Sequence, residues 1–169
     1  MTDFLKNLFD FSNLLPFCID LVLVVAIGYL IGHERHVAGK TMGERSTIIL
    51  IVGSYLFAYA SLRCGIDHSR VIAQIVTGVG FIGAGIIFKK GEKDIINLTT
   101  AILVWTVAAL GVLVGIGLRV EAVMAAIVVY LVLLVRRRRD EKQAKAIFRY
   151  HFCLSSKSTS FVRSSSKFF

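Results

Sequence analysis

A chain of 169 residues of which 56% are hydrophobic, with a mean hydropathy of +0.72 and one proline, is excluded from the ordinary water-soluble domains, whose apolar residues are fewer and interrupted by polar faces. The formal charge of +9 does not point to nucleic acid, because the basic residues lie between apolar runs and in one C-terminal block, as in a multipass membrane protein. Cys18, Cys64 and Cys153 show neither paired nor metal-ligand spacing, and Cys18 and Cys64 read as small apolar fillers at span ends.

Taken in order, residues 1–13 form a short extracytoplasmic N-terminus holding Asp3, Lys6 and Asp10. It lacks a basic start and a small-residue cleavage site, so the apolar run that follows reads as a retained span. That run extends from Leu14 to Gly32 and contains one acid, Asp20. An intramembrane carboxylate is costly unless paired, which makes Asp20 either an ion-pathway residue or half of a structural pair with Arg63 or Arg70. The sequence His33-Glu34-Arg35-His36 then opens a first cytoplasmic loop that also holds Gly39, Gly43, Glu44 and Arg45. His33 and His36 have no third ligand spaced to join them, so no metal site is expected; Glu34, Arg35 and Arg45 read as a charge network under the bundle.

The second run is Ser46 to Leu62 and the third Val71 to Phe88. The third is the stretch the rest is expected to be arranged around. At 100° per residue its small residues Ala73, Thr77, Gly80 and Ala84 form one stripe, with Gln74, Gly78, Phe81 and Gly85 beside it. Bulky Val71, Ile72, Ile75, Ile82 and Ile86 occupy the other face, where Gly83 is the exception. Lipid supplies no hydrophobic force between helices, so a small-residue face predicts close backbone contact. The fourth run, about Leu98 to Leu118, places Asn97, Ala101, Ala108, Gly111 and Gly115 on one face and should pack against that stripe. Thr99 and Thr100 could satisfy its free first-turn N–H groups, and Trp105, two turns in, is expected between helices. A fifth run covers Val120 to Val135.

The fold class that follows is all-α, a multipass transmembrane bundle of five spans over residues 14–135. Arg35, Lys40, Arg45, Lys89, Lys90, Lys93 and the block from Arg136 fall on one side, and Lys6, Arg63, Arg70 and Arg119 on the other. This bias places the N-terminus outside and the C-terminus in the cytoplasm. Residues 136–169, basic and then serine-rich, read as a disordered cytoplasmic tail whose arginines meet anionic headgroups. No nucleophile with its base, phosphate loop or paired catalytic carboxylates appear, so neither an enzyme nor a cofactor is expected. Gly78-Val79-Gly80-Phe81-Ile82-Gly83 matches G-x-G-x-x-G, but inside a continuous apolar run and not in a strand-turn-helix unit.

Glu34-Arg35, then Arg70 and Gln74 ahead of G-V-G-F-I-G-A-G-I-I, a basic loop, and L-T-T-A followed by Trp105 and Ala108-Ala109, together resemble the MgtC/SapB family of bacterial inner-membrane proteins. The likeness covers about Leu21 to Val135. Its motif positions here are Glu34, Arg35, Arg45, Arg70, Gln74, Gly78, Gly80, Phe81, Gly83, Ala84, Gly85, Leu98, Thr99 and Thr100. The resemblance implies a five-span regulator linked to magnesium homeostasis and, in pathogens, to survival at low magnesium and inside host cells. Such a protein would act on membrane partners such as the rotary ATP synthase or a transporter. A magnesium or other ion transporter is the alternative, and a homo-oligomeric scaffold a third. Two departures stand out: Gly43-Glu44-Arg45-Ser46 replaces G-L-R-T, and Asn97 replaces a glycine.

Overall fold

The computed structural model describes residues 11–63, 67–90 and 94–138. The N-terminal stretch, Cys64, Cys153 and all but the first residues of the expected tail lie outside these described residues. Helix α1, Phe11–Val37, is longer than its apolar run because it continues through His33-Glu34-Arg35-His36. Those residues are therefore the last turns of a helix and not a loop. Arg35 and His36 there face the negative pole of the helix dipole. The helix is closed at Gly39, whose φ of +65° suits a residue without Cβ. The Gly39 N–H bonds the His36 carbonyl, and the Lys40 N–H bonds that of Arg35.

Helix α2 is Glu44–Arg63 and α3 is His68–Ile86. Asp67 caps α3, its carboxylate accepting from the Ser69 N–H at 3.2 Å and the Ser69 hydroxyl at 2.6 Å. The third apolar run stops being helical at Ile86. Ile87 is extended, and β1, Phe88–Lys90, pairs antiparallel with β2, Asp94–Ile96, in the register Phe88 to Ile96. This small hairpin, expected only as a basic loop, is the one departure from an all-α architecture among the described residues. Helix α4, Leu98–Gly115, ends in the same way as α1: Gly117 has φ +89°, with Gly117 N–H on the Val114 carbonyl and Leu118 N–H on that of Leu113. Helix α5 is described over 119–138.

Helices α1 to α4 contain stretches long and apolar enough to cross a bilayer. Large apolar side chains face outward along them, including Val22, Ile49, Phe57, Ile82 and Ile102. In water this surface would aggregate; in lipid it is the expected exterior.

Among the described residues up to Tyr130, the packing is organised by α2 and α4, not by α3. On α4, a Cβ at Gly111 would run into the Ile51 carbonyl oxygen, and one at Gly115 would lie 2.6 Å from Ala58 Cβ and 3.0 Å from the Tyr55 carbonyl oxygen. The Gly111/Gly115 pair therefore meets α2 in parallel, where packing against the third span was expected. Against α2 also lies a second G-x-x-x-G that sequence reading passed over, Gly28 and Gly32 of α1. A Cβ at Gly28 would come 2.9 Å from Ile51 Cγ2, and one at Gly32 would come 2.6 Å from Glu44 Cα. Because Gly28 meets Ile51 and Gly32 meets Glu44, α1 and α2 run antiparallel.

The small stripe of α3 is not a packing face of this bundle. Ala73, Thr77, Gly78, Gly80, Ala84 and Gly85 are exposed, Phe81 is 84% exposed, and a Cβ at Gly78, Gly80 or Gly85 would meet nothing within 4 Å. The bulky face packs instead: Val79 joins Met42, Val104 and Ala108 in a core cluster with Leu50, Ile75 and Ile86 against it. Gly83, which fitted neither stripe, faces α4 at ordinary contact distance, with the Ala101 carbonyl oxygen 3.5 Å from where its Cβ would be. The third and fourth spans do pack together, through the opposite side of α3 from that expected. The reason is volume. Bulky side chains fill the groove beside α4 and gain dispersion contacts there that small ones cannot supply. Trp105 is 53% exposed, on the outer side of α4, and is not wedged between helices.

Candidate functional site

Polar side chains buried in this bundle gather toward its two ends. At one end Asp20, on the first turns of α1, is 5% exposed. Its partner is Arg119, at the start of α5: Nε and Nη2 donate to the two carboxylate oxygens, the second at 2.9 Å. Neither Arg63 nor Arg70, the expected partners, takes this place; Arg63 lies over the Tyr59 ring, 5.2 Å from its centroid. The Asp20 carboxylate, by its hydrogen bond first and then its charge, holds the Arg119 guanidinium above its ordinary range. Beside the pair, Phe17, Tyr55 and Tyr59 form an aromatic trio with centroids 5.1 to 5.9 Å apart. The Tyr55 hydroxyl is buried without a hydrogen-bond partner among the described residues. Cys18 is exposed and free, not a filler, and Glu121 is exposed.

At the other end Glu34 and Arg35 are buried side by side at the close of α1, 4% and 3% exposed. Arg35 Nη2 donates to Thr100 Oγ1 at 2.8 Å, which ties α1 to the first turn of α4. That hydroxyl is thus spent on another helix and not on capping its own. Burying a guanidinium is costly without such donors' partners, so this contact fixes how the two helix ends meet. Glu34 Oε2 has no hydrogen-bond partner among the described residues. His33 Nδ1 lies 2.8 Å from Glu44 Oε1, across the α1–α2 connection, and its ring stacks on Tyr29. Arg45 is exposed, whereas Glu34 and Arg35 are buried. No group of three metal-ligating side chains occurs among the described residues.

Of the remaining motif positions, Arg70, Gln74 and Leu98 are exposed and Thr99 is half-buried. The structure therefore brings Arg35, beside Glu34, to Thr100, places Gly83 against the neighbouring Ala101, and leaves Arg70, Gln74, Gly78 and Gly80 exposed. Arg119 was missed because 99 residues separate it from Asp20. The available signal was that the charge distribution already put both on the same side. Asn97 explains one sequence departure: its φ of +67° is a left-handed conformation that glycine adopts freely and asparagine tolerates.

The profile of the MgtC family matches residues 21–142. The chain is 38% identical over 127 residues to a protein of Escherichia coli K12 named putative magnesium transporter YhiD, covering 69% of this chain and 59% of that one. It is 35% identical over 115 residues to protein MgtC of Salmonella typhimurium LT2, covering 68% and 49%, and 37% identical over 112 residues to protein SapB of Bacillus subtilis, covering 60% and 48%. The chain thus spans about half to three-fifths of the length of these curated relatives. No solved structure matches it.

Proposed function

The chain belongs to the MgtC family of multipass membrane proteins, and from that premise we propose that it is a non-catalytic regulator in the bacterial inner membrane, tied to magnesium homeostasis and to survival at low magnesium. In this reading it works by holding membrane-protein partners, of the class of the rotary ATP synthase or a transporter, against its helices. The magnesium link rests on the names of its relatives. The observation that carries a regulator rather than a carrier is the character of the interior between the two polar ends. Asp20 and Arg35 are 15 residues apart on one helix, about 22 Å at 1.5 Å per residue. Between them the buried side chains are mainly Val24, Ile27, Ile31, Ile51, Val107 and Leu110, closed by the glycine contacts of α1 and α4 on α2. Ser54 and Thr47, which interrupt this lining, donate to the carbonyls of Leu50 and Gly43 and so are committed to their own helix. A transported cation needs polar groups along its route.

The transporter reading has one observation in its favour, the buried Glu34 carboxylate oxygen without a hydrogen-bond partner, and a relative named as a putative magnesium transporter. Purified protein in proteoliposomes separates the two. A regulator gives no magnesium flux above protein-free vesicles, while a photo-crosslinker at exposed Gly80 in native membranes gives a covalent adduct with another membrane protein and one at buried Val107 gives none. Flux that Glu34→Gln abolishes would replace the regulator by the transporter.

A further inference from the structure

Between α2 and α3 lies a lateral cleft of about 470 Å³ that shares Leu50, Ile75 and Val79 with the core cluster and that the regulator reading does not use. It exists because two glycines face it. A Cβ at Gly53 or at Gly78 would meet nothing within 4 Å, so the two helices stand apart where their neighbours are glycine-tight. Its walls are apolar, with Phe57 and Val79 among them, and two side chains bring polar atoms to it. Ser54 spends its hydroxyl on the Leu50 carbonyl, whereas Gln74 is exposed and presents a primary amide.

We propose that this cleft is a phospholipid site: one acyl chain lies in it, the Gln74 amide meets the ester carbonyl, and Arg70 receives the phosphate of an anionic headgroup. Arg70 is exposed and stands one turn before Gln74, about 6 Å toward the helix start and on the same side of α3. From Val71 to Ile82, its first and last lining residues on α3 and the first of them next to Arg70, the helix rises about 16 Å, close to half of a hydrocarbon core about 30 Å thick. The cleft is therefore as deep as one leaflet, with a charge at its mouth, an amide at the depth of the ester groups and apolar walls below. Asp67, the acid nearest in sequence, turns its carboxylate to the Ser69 N–H and hydroxyl as the helix cap. A guanidinium beside a headgroup without its own ammonium group is the complementary pairing, so phosphatidylglycerol is favoured over phosphatidylcholine. Inside the bundle the lipid would serve as filler, since α3 is held mainly by α4 and only lightly by α2. The proposal requires the chain to lie in a bilayer and is independent of whether it regulates or transports.

The test is native mass spectrometry of the full chain in mild detergent, titrated with dioleoyl phosphatidylglycerol or dioleoyl phosphatidylcholine. The expected result is one retained phosphatidylglycerol, bound about fivefold more tightly than phosphatidylcholine, the factor expected of one basic residue at a membrane surface. Arg70→Gln should remove the preference and leave weak binding of both lipids. Gly78→Leu fills the cleft and should remove both, with lipid-free melting unchanged. Equal retention of the two lipids by the unmodified chain, or full retention by Gly78→Leu, overturns the proposal. So does a dimer that Gly78→Leu disperses while lipid retention stays the same, since the occupant is then a second copy. Should Gly78→Leu fail to fold, Gly53→Leu fills the same cleft from the other wall and is read in the same way.

Discussion

Arg119 and Asp20 are not equal partners, and the inequality is testable. The Asp20 side chain is 7% exposed and that of Arg119 46%, so losing the arginine strands a buried carboxylate, whereas losing the acid leaves an arginine that can turn to water. Arg119→Gln should therefore lower the melting temperature of the detergent-purified protein more than Asp20→Asn, and the swap Asp20→Arg with Arg119→Asp should recover part of the loss. The reverse order in melting experiments would mean that the pair is held by something other than its burial. Asn97 allows a second comparison. Its left-handed backbone costs a β-branched residue about 1–2 kcal/mol, so Asn97→Val should destabilise by that amount while Asn97→Gly is neutral or slightly stabilising. Chemical denaturation of the two variants in the same detergent decides it; equal midpoints would contradict the turn geometry.

For the helices, glycine content is less informative than what each glycine faces. Gly111 looks across at backbone of α2, which cannot move aside as a flexible side-chain end can, and Gly80 looks at open space. Gly111→Leu should cost on the order of 1–3 kcal/mol by overpacking, and Gly80→Leu should leave the melting of the isolated protein unchanged. Finding both silent would remove α2 from the centre of the bundle. The positions of the helices were legible because charge and glycine punctuate long apolar runs, and the fourth-span G-x-x-x-G was legible as a packing face. Its partner was not, because a one-dimensional pattern says that a backbone comes close without saying whose. The same limit misled the reading of α3. Segregated small residues mark a face that could admit a backbone, but in this bundle Val79, Ile75 and Ile86 gain more by filling the groove beside α4. At the candidate site, Glu34, Arg35 and Thr100 were singled out separately by resemblance, and only the extension of α1 beyond its apolar run brings Arg35 within reach of α4.

For the whole molecule, the alternating directions of α1, α2 and α3, with α4 parallel to α2, put the Asp20 end and the Arg35 end on opposite sides of any membrane the bundle crosses. We propose from the charge bias that the Arg35 end faces the cytoplasm. A reporter active only in the cytoplasm should then work when fused after Arg139 and fail when inserted after Asp67, and the opposite pattern would invert the bundle. The parallel pairing of α2 with α4 also governs the order of assembly. As the chain is made, α1 and α2 can close on each other at once, because they are antiparallel neighbours joined by a short turn. The part of α2 that receives Gly111 and Gly115, at the Ile51 and Tyr55 carbonyls and Ala58, has no such neighbour in sequence, and it waits until α3 and the hairpin have been made and α4 has returned beside it. During that interval this glycine-receiving face of α2 lies open to whatever else is in the membrane. A nascent chain halted before α4 should accordingly be the form that quality-control proteases remove, and the arrival of Gly111 and Gly115 the step that ends its exposure.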